Sequence, residues 1–218
     1  MERNGMNGTR LCALISGGRR DTLEGIAAAD YIVAADLGYQ YAREQGIVPD
    51  LIVGDFDSYP GSCDQVESLG TEILRLPREK DDSDTLAALR HCLKLGYSRF
   101  KIYCALGGRL DHLMANMQAC AFLAAQGASV EVISEREYLY FLHNNAAIFA
   151  PRPGYSLSVF SLSTQSSGVS ISGAAYELEN ETLDHTFPIG LSNEWKNENE
   201  VQISVKDGTL VVVSSFLG

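Results

Sequence analysis

Apolar residues in the first 134 positions fall into short blocks that alternate between two kinds of spacing. Residues 10–15, 31–35, 51–53, 72–76, 100–105 and 129–133 are compact apolar runs bounded by polar or turn residues, and each predicts a strand. Residues 22–29, 38–45, 83–95 and 111–126 between them read as helices. In the third of these, Leu86, Leu89 and Leu93 recur at helical spacing and Gly96 follows as a stop signal. Gly46 and Gly127 are placed to end the second and fourth. Such alternation predicts a parallel sheet with helices on both faces.

After Ser134 the helical spacing disappears. Residues 138–142, 156–162, 169–172, 201–206 and 209–214 are short strand-like runs. Asp207-Gly208, between the last two, predicts a two-residue hairpin turn, because both central positions of such a turn take positive φ. Short strands with turn residues between them predict a β-sandwich. The expected fold class is therefore α/β. A parallel-sheet, three-layer α/β domain (residues 1–134) precedes an all-β sandwich domain (135–218), with the boundary near 134–137.

Composition narrows the function classes. The net charge of −11 argues against a nucleic-acid partner, which needs a basic stripe. No apolar stretch approaches the roughly 20 residues of a membrane span. The first nine residues are polar, lack a signal-peptide core and read as a loose tail. Five cysteines, an odd number with no Cys-x-x-Cys pair, argue against a disulfide framework or zinc site. These signs predict a cytoplasmic protein.

Candidate chemistry concentrates in acids. Gly54-Asp55-Phe56-Asp57-Ser58 directly follows a predicted strand, and Lys80-Asp81-Asp82-Ser83-Asp84 opens a predicted helix. Two carboxylates about 4 Å apart repel by about 4 kcal/mol at an effective dielectric near 20, so a fold that gathers several needs a cation among them. Hard oxygen ligands suit Mg²⁺, which commonly arrives with substrate phosphates. Ligands of open parallel sheets bind beyond the carboxyl ends of the strands. Asp36, Asp55, Asp81, Asp84 and the Gly107-Gly108-Arg109-Leu110-Asp111-His112 run all follow strand ends, on four successive loops. Taken singly, Asp36, Asp81, Ser83 or Asp111 is equally well a helix cap.

Neither a Walker loop nor a dinucleotide glycine fingerprint occurs. Gly17-Gly18 leaves backbone N–H groups open to a phosphate, and Lys80, Arg19, Arg20 and Arg109 are cations able to pair with one. Arg109 stands out because two glycines precede it; its alternative is a surface ion pair with a neighbouring Asp. His112 reads as a packed or hydrogen-bonded histidine, and no His–Cys arrangement makes Cys104 a nucleophile. Ser192-Asn193-Glu194-Trp195 holds the only Trp, and sets a flat ring beside compact polar groups.

Together these segments resemble thiamine pyrophosphokinases over nearly the whole chain. The resemblance runs in order through Ala35-Asp36-Leu37-Gly38, Pro49-Asp50-Leu51-Ile52-Val53-Gly54-Asp55-Phe56-Asp57-Ser58, Lys80-Asp81-Asp82-Ser83-Asp84, Gly108-Arg109-Leu110-Asp111-His112 and Gly190-Leu191-Ser192-Asn193-Glu194. It implies a homodimer that transfers a pyrophosphoryl group from ATP to the hydroxyl of thiamine, giving thiamine diphosphate and AMP with Mg²⁺. By motif, Asp55, Asp57 and Asp84 correspond to the carboxylates around metal and phosphates, and Arg109 and Asp111 to a catalytic pair near the nucleotide. Asp36, Gly38, Ser58, Lys80 and Asp81 fall in segments expected around the nucleotide and metal. Ser192, Asn193 and Trp195 fall in the segment expected near thiamine. Leu37 replaces the first glycine of the family's usual Asp-Gly-Gly turn, Ser83 stands where Thr is usual, and Trp195 where Phe is common. Rival readings are a diphosphokinase of another hydroxymethyl heterocycle, such as a pterin, a non-catalytic binder that kept the scaffold, and an interaction module.

Overall fold

The structure, a computed structural model, describes residues 10–54, 71–77, 82–196 and 199–218. Among the described residues of the first half stand six parallel strands: β1 (Leu11–Ile15), β2 (Tyr31–Ala35), β3 (Leu51–Gly54), β4 (Glu72–Arg75), β5 (Arg99–Tyr103) and β6 (Ser129–Ile133). Helix α1 (Gly38–Glu44) follows β2, α2 (Asp84–Lys94) follows β4, and α3 (Leu110–Ala125) follows β5. The strands stand in the order β4-β3-β2-β1-β5-β6. The chain thus lays down three strands on one side of β1 and then returns to its other side.

Both faces of this sheet are covered, which is why β1 is buried at all five positions instead of alternating. Cys12 and Leu14 of β1 point to the side of α2 and α3, packing with Val33, Val53, Leu89, Ile102 and Leu123. Ala13 and Ile15 point the other way, against Ala42 of α1 and against Leu23 and Ile26. The helix expected over 22–29 is only a 3₁₀ turn, Ile26–Ala28, because Gly25 before it takes a left-handed φ of 76°. Leu23 and Ile26 are both buried, so helical spacing here reports two anchors in a loop.

The second half continues the same sheet. Strand β7 (Glu137–His143) pairs antiparallel with β6, and the sheet runs on through β13 (Thr209–Phe216) to β9 (Tyr155–Ser161). A second sheet of order β11-β10-β12-β8 completes the sandwich, built from β8 (Ala146–Phe149), β10 (Gln165–Ser172), β11 (Leu178–Asp184) and β12 (Val201–Ser204). β8 and β11 have no counterpart among the predicted strands; β11 is a sheet edge with a mostly exposed polar sequence, so it carries no apolar signal.

The hairpin predicted at Asp207-Gly208 is not formed. β12 pairs with β8 and β10, whereas β13 pairs with β7 and β9, so the turn carries the chain from one sheet to the other. Val201 and Ile203 meet Leu210 and Val212 across the sandwich core. Two apolar runs joined by a tight turn can bury their faces side by side or face to face, and here burial in a shared core selects the second.

Candidate functional site

The reversal of strand order places a crevice at the carboxyl ends of β1 and β5, the position where open α/β sheets bind ligands. A cleft of about 470 Å³ opens there. Its walls are Ser16, Gly17 and Gly18 after β1, Asp36 after β2, residues 82–85 at the start of α2, and Asp111, His112, Ala115 and Asn116 on α3.

Tight backbone approaches build the rim. A Cβ on Gly18 would lie 2.4 Å from the carbonyl oxygen of Cys104, so only glycine lets the loop after β1 rest on the loop after β5. Gly38 is equally constrained: a Cβ there would meet the Ile15 carbonyl oxygen at 2.0 Å, and glycine lets α1 start directly over the end of β1. Asp36 and Cys104, at the ends of β2 and β5, both hold left-handed φ, 52° and 54°. Non-glycine residues seldom adopt that conformation, and such strain gathers at functional sites. Leu37 sits at φ −59°, so a side chain fits there without strain although a glycine is usual in the resembling turn.

Asp84 begins α2, and the Ser83 side chain caps that helix by accepting from the Leu86 N–H at 3.2 Å. An Asp84 carboxylate oxygen lies 3.9 Å from where a side chain on Gly54 would begin. The end of β3 and the start of α2 are therefore adjacent, although thirty residues separate them. Asp55, Asp57, Ser58, Lys80 and Asp81 lie outside the described residues. Among the described residues no three His, Cys, Asp or Glu side chains gather closely enough to hold an ion by themselves. The acids that do line the cleft offer only hard oxygen donors, which fit Mg²⁺.

Arg109 forks onto Asp111, with Nε donating to Oδ1 at 3.1 Å and Nη2 to Oδ2 at 2.5 Å. These hydrogen bonds hold the Asp111 carboxyl below the usual carboxylate range and push Arg109 up. The Arg109 side chain is 73% exposed, and its guanidinium reaches the cleft only through its pair with Asp111, which lines it. His112 lines the cleft, and its backbone N–H donates to Asp111 Oδ1.

Three polar lining residues escaped the sequence reading. Ser16 and Thr85 share a buried hydroxyl–hydroxyl bond of 3.0 Å that ties the loop after β1 to the first turn of α2. Asn116 is buried and donates to the Ala105 carbonyl at 2.9 Å, which fixes α3 to the loop after β5. The available signals were adjacency to Asp84 for Thr85 and a place one helical turn beyond His112 for Asn116.

The 192–195 segment does not line this cleft among its described walls. Ser192 holds φ 58° and its N–H donates to the Ser158 hydroxyl. Asn193 is buried: its Oδ1 accepts from the Tyr176 and Glu194 N–H groups, and its Nδ2 donates to the Tyr176 carbonyl. Its amide thus braces the loop against residues 174–176. Trp195 and Glu194 line a second pocket, about 300 Å³, with Arg152 and Tyr155.

Residues 23–132 match the thiamin pyrophosphokinase catalytic domain, and residues 147–210 the thiamin pyrophosphokinase vitamin B1 binding domain. The chain belongs to the thiamin pyrophosphokinase family. It is an enzyme that transfers pyrophosphate from ATP to thiamine, so a pterin diphosphokinase, a non-catalytic binder and an interaction module are set aside. Solved thiamin pyrophosphokinases share the fold. The Bacillus subtilis enzyme superposes with a TM-score of 0.83 at 20% identity, covering 95% of this chain and 99% of its own. A thiamin pyrophosphokinase family protein from Enterococcus faecalis gives 0.78 at 28% identity, covering 94% and 98%. The Candida albicans thiamin pyrophosphokinase gives 0.78 at 18% identity, covering 95% and 89%. No curated protein matches the chain in sequence.

Proposed function

We propose that the cleft between β1 and β5 takes ATP as its Mg²⁺ complex, with Asp55, Asp57 and Asp84 as the metal's carboxylates. The observation that carries this is the Asp84 carboxylate beside Gly54, since the next residue in the chain is Asp55. When bound, Mg²⁺ supplies positive charge that offsets repulsion between these acids and the triphosphate. Asp36 completes the acidic wall, and Gly17 and Gly18 present open backbone to the phosphates. Ser58, Lys80 and Asp81 belong to the same segments. Gly38 acts by setting α1 against β1.

The reaction is an in-line displacement. The thiamine hydroxyl oxygen forms a bond to the β-phosphorus and gives up its proton to solvent, the bond from that phosphorus to the oxygen bridging to the α-phosphate breaks, and AMP departs with that oxygen. Such transfers depend on positioning and charge stabilisation more than on a strong base. Arg109 neutralises charge on the transferred group. Its exposed fork on Asp111 exchanges for phosphate oxygens at little cost, because an exposed ion pair contributes little.

Thiamine is read to lie against the Ser192, Asn193 and Trp195 segment, in a site shared between two copies of the chain. Support comes from the placement of that segment away from the nucleotide cleft and from the apolar side chains around it. Phe187, Ile189 and Leu191 are 56–64% exposed and Tyr176 is 71% exposed, an unusual concentration for a free surface. The catalytic and thiamine-binding units divide near residues 134–137, and the four described cysteines, all free, accord with a cytoplasmic setting.

Asp84→Asn and Asp57→Asn test the assignment, with AMP and thiamine diphosphate measured from ATP, thiamine and Mg²⁺. Both variants should lose at least 10²–10³ in turnover, the usual cost of removing one charge-stabilising group, with the fold retained by circular dichroism. Near-normal activity in either would overturn the metal assignment.

A further inference from the structure

We propose that Arg90 is a positioning residue for nucleotide binding, acting by neutralising Asp82 at the wall of the cleft. This rests on the reading of the cleft as the Mg²⁺·ATP site. Arg90 lies in the second turn of α2, and its Nη1 donates to Asp82 Oδ2 at 2.6 Å, reaching back past the Ser83 cap. Its guanidinium carbon also stands 5.0 Å from the centroid of the Phe122 ring on α3. The cation is thus held by both a carboxylate and an aromatic ring, and the Arg90 and Asp82 side chains are partly shielded, at 43% and 31% exposure. A guanidinium held this way keeps its orientation far better than a lone surface pair.

The placement matters because of the company Asp82 keeps. Asp36, Asp82, Asp84 and Asp111 all line the cleft, and no Lys or Arg is among its described walls. An incoming triphosphate is strongly anionic. Asp111 already has Arg109, and Arg90 does the same for Asp82, from behind the wall. Asp82 precedes Asp84 by two residues, so fixing its carboxylate also fixes the loop that delivers Asp84. Ser16–Thr85 anchors this loop from the β1 side and Arg90–Asp82 from the α3 side.

The test compares Arg90→Gln, Arg90→Lys, Asp82→Asn and the double variant Asp82→Asn/Arg90→Gln in steady-state kinetics with ATP, Mg²⁺ and thiamine. Arg90→Gln should raise KM for Mg²⁺·ATP about fivefold to tenfold, with KM for thiamine unchanged and the fold intact by thermal melting. The defect should shrink as salt is raised, because it is a repulsion between partly exposed charges. Arg90→Lys should retain most of the wild-type affinity, and removing the carboxylate in the double variant should restore KM to within about twofold. A silent Arg90→Gln, or a double variant no better than Arg90→Gln alone, would overturn the proposal, the latter leaving Arg90 a purely packing residue. Asp84→Asn separates the two levels. If it also leaves ATP use unchanged, the reading of the cleft fails and this inference with it; if Asp84→Asn is impaired while Arg90→Gln is silent, only this inference fails.

Discussion

Single residues in this rim are decided by whether a Cβ would sit closer to a backbone oxygen than any contact allows, 2.0 Å at Gly38 and 2.4 Å at Gly18. Gly38→Ala would drive a methyl group into the Ile15 carbonyl, a contact between two backbones that neither can leave. We expect a loss of about 1–3 kcal/mol or more, read as a lower midpoint in urea denaturation. Asp111 gives a pH signature. Its carboxyl is held down by Arg109, so the ion pair stays formed as pH falls through the ordinary carboxylate range and is lost only below it. Arg109→Gln should move the Asp111 titration, followed by carboxyl NMR, up toward its usual range, with the His112 N–H still holding it somewhat down. Sequence motif placed Asp84, Asp36 and Asp111 at the right strand and helix ends. It did not place Ser16, Thr85 or Asn116, since a hydroxyl or an amide gains meaning only from the partner across the cleft. Arg109 was legible both as a phosphate ligand and as an ion pair with its neighbour, and the ion pair is what this structure contains.

At the level of elements, caps and ends matter more than lengths. Ser83 holds the first turn of α2, and the same turn carries Asp84 and Thr85. Ser83→Ala should destabilise by about 0.5–2 kcal/mol in chemical denaturation. On the proposed metal site, activity should fall further than that loss explains, with a higher Mg²⁺ requirement, because the turn that carries Asp84 loses its cap. Strands buried on both faces were easy to read, as continuous apolar runs need no knowledge of neighbours. The helix expected at 22–29 failed on one residue, Gly25, whose left-handed φ stops a turn that spacing alone would allow. The edge strand β11 was invisible for the opposite reason: its residues face water, and only pairing with β10 makes it a strand.

For the whole molecule, the continuous sheet is the main consequence. Leu139 and Phe141 of β7 and Val211 of β13 belong to the same core as Leu14, Leu89 and Leu123, so the first half of the chain shares its core with residues of the second. A fragment ending at residue 134 should expose the β6 edge and part of that core. We expect it to be largely unfolded or aggregated by circular dichroism and gel filtration, whereas the full chain melts cooperatively. The apolar surface around Leu191 makes a separate prediction. On the proposed site shared between two copies, Leu191→Asp should give a monomer in sedimentation where the unaltered chain gives a dimer, and depress activity, with the fold intact by circular dichroism.

Sequence by itself determined most of the strands and helices, the change from alternating helices and strands to strands alone after Ser134, and the places of Asp36 and Asp84 at element ends, because periodicity and turn chemistry act over a few residues. Tertiary structure decided which strands became neighbours. Periodicity fixes which face of a strand is apolar; it leaves open what that face meets, as the crossover at Asp207-Gly208 illustrates. The pairing of Arg90 with Asp82 and the approach of Asp84 to the end of β3 arise the same way, from a chain folded so that remote residues share one cleft wall.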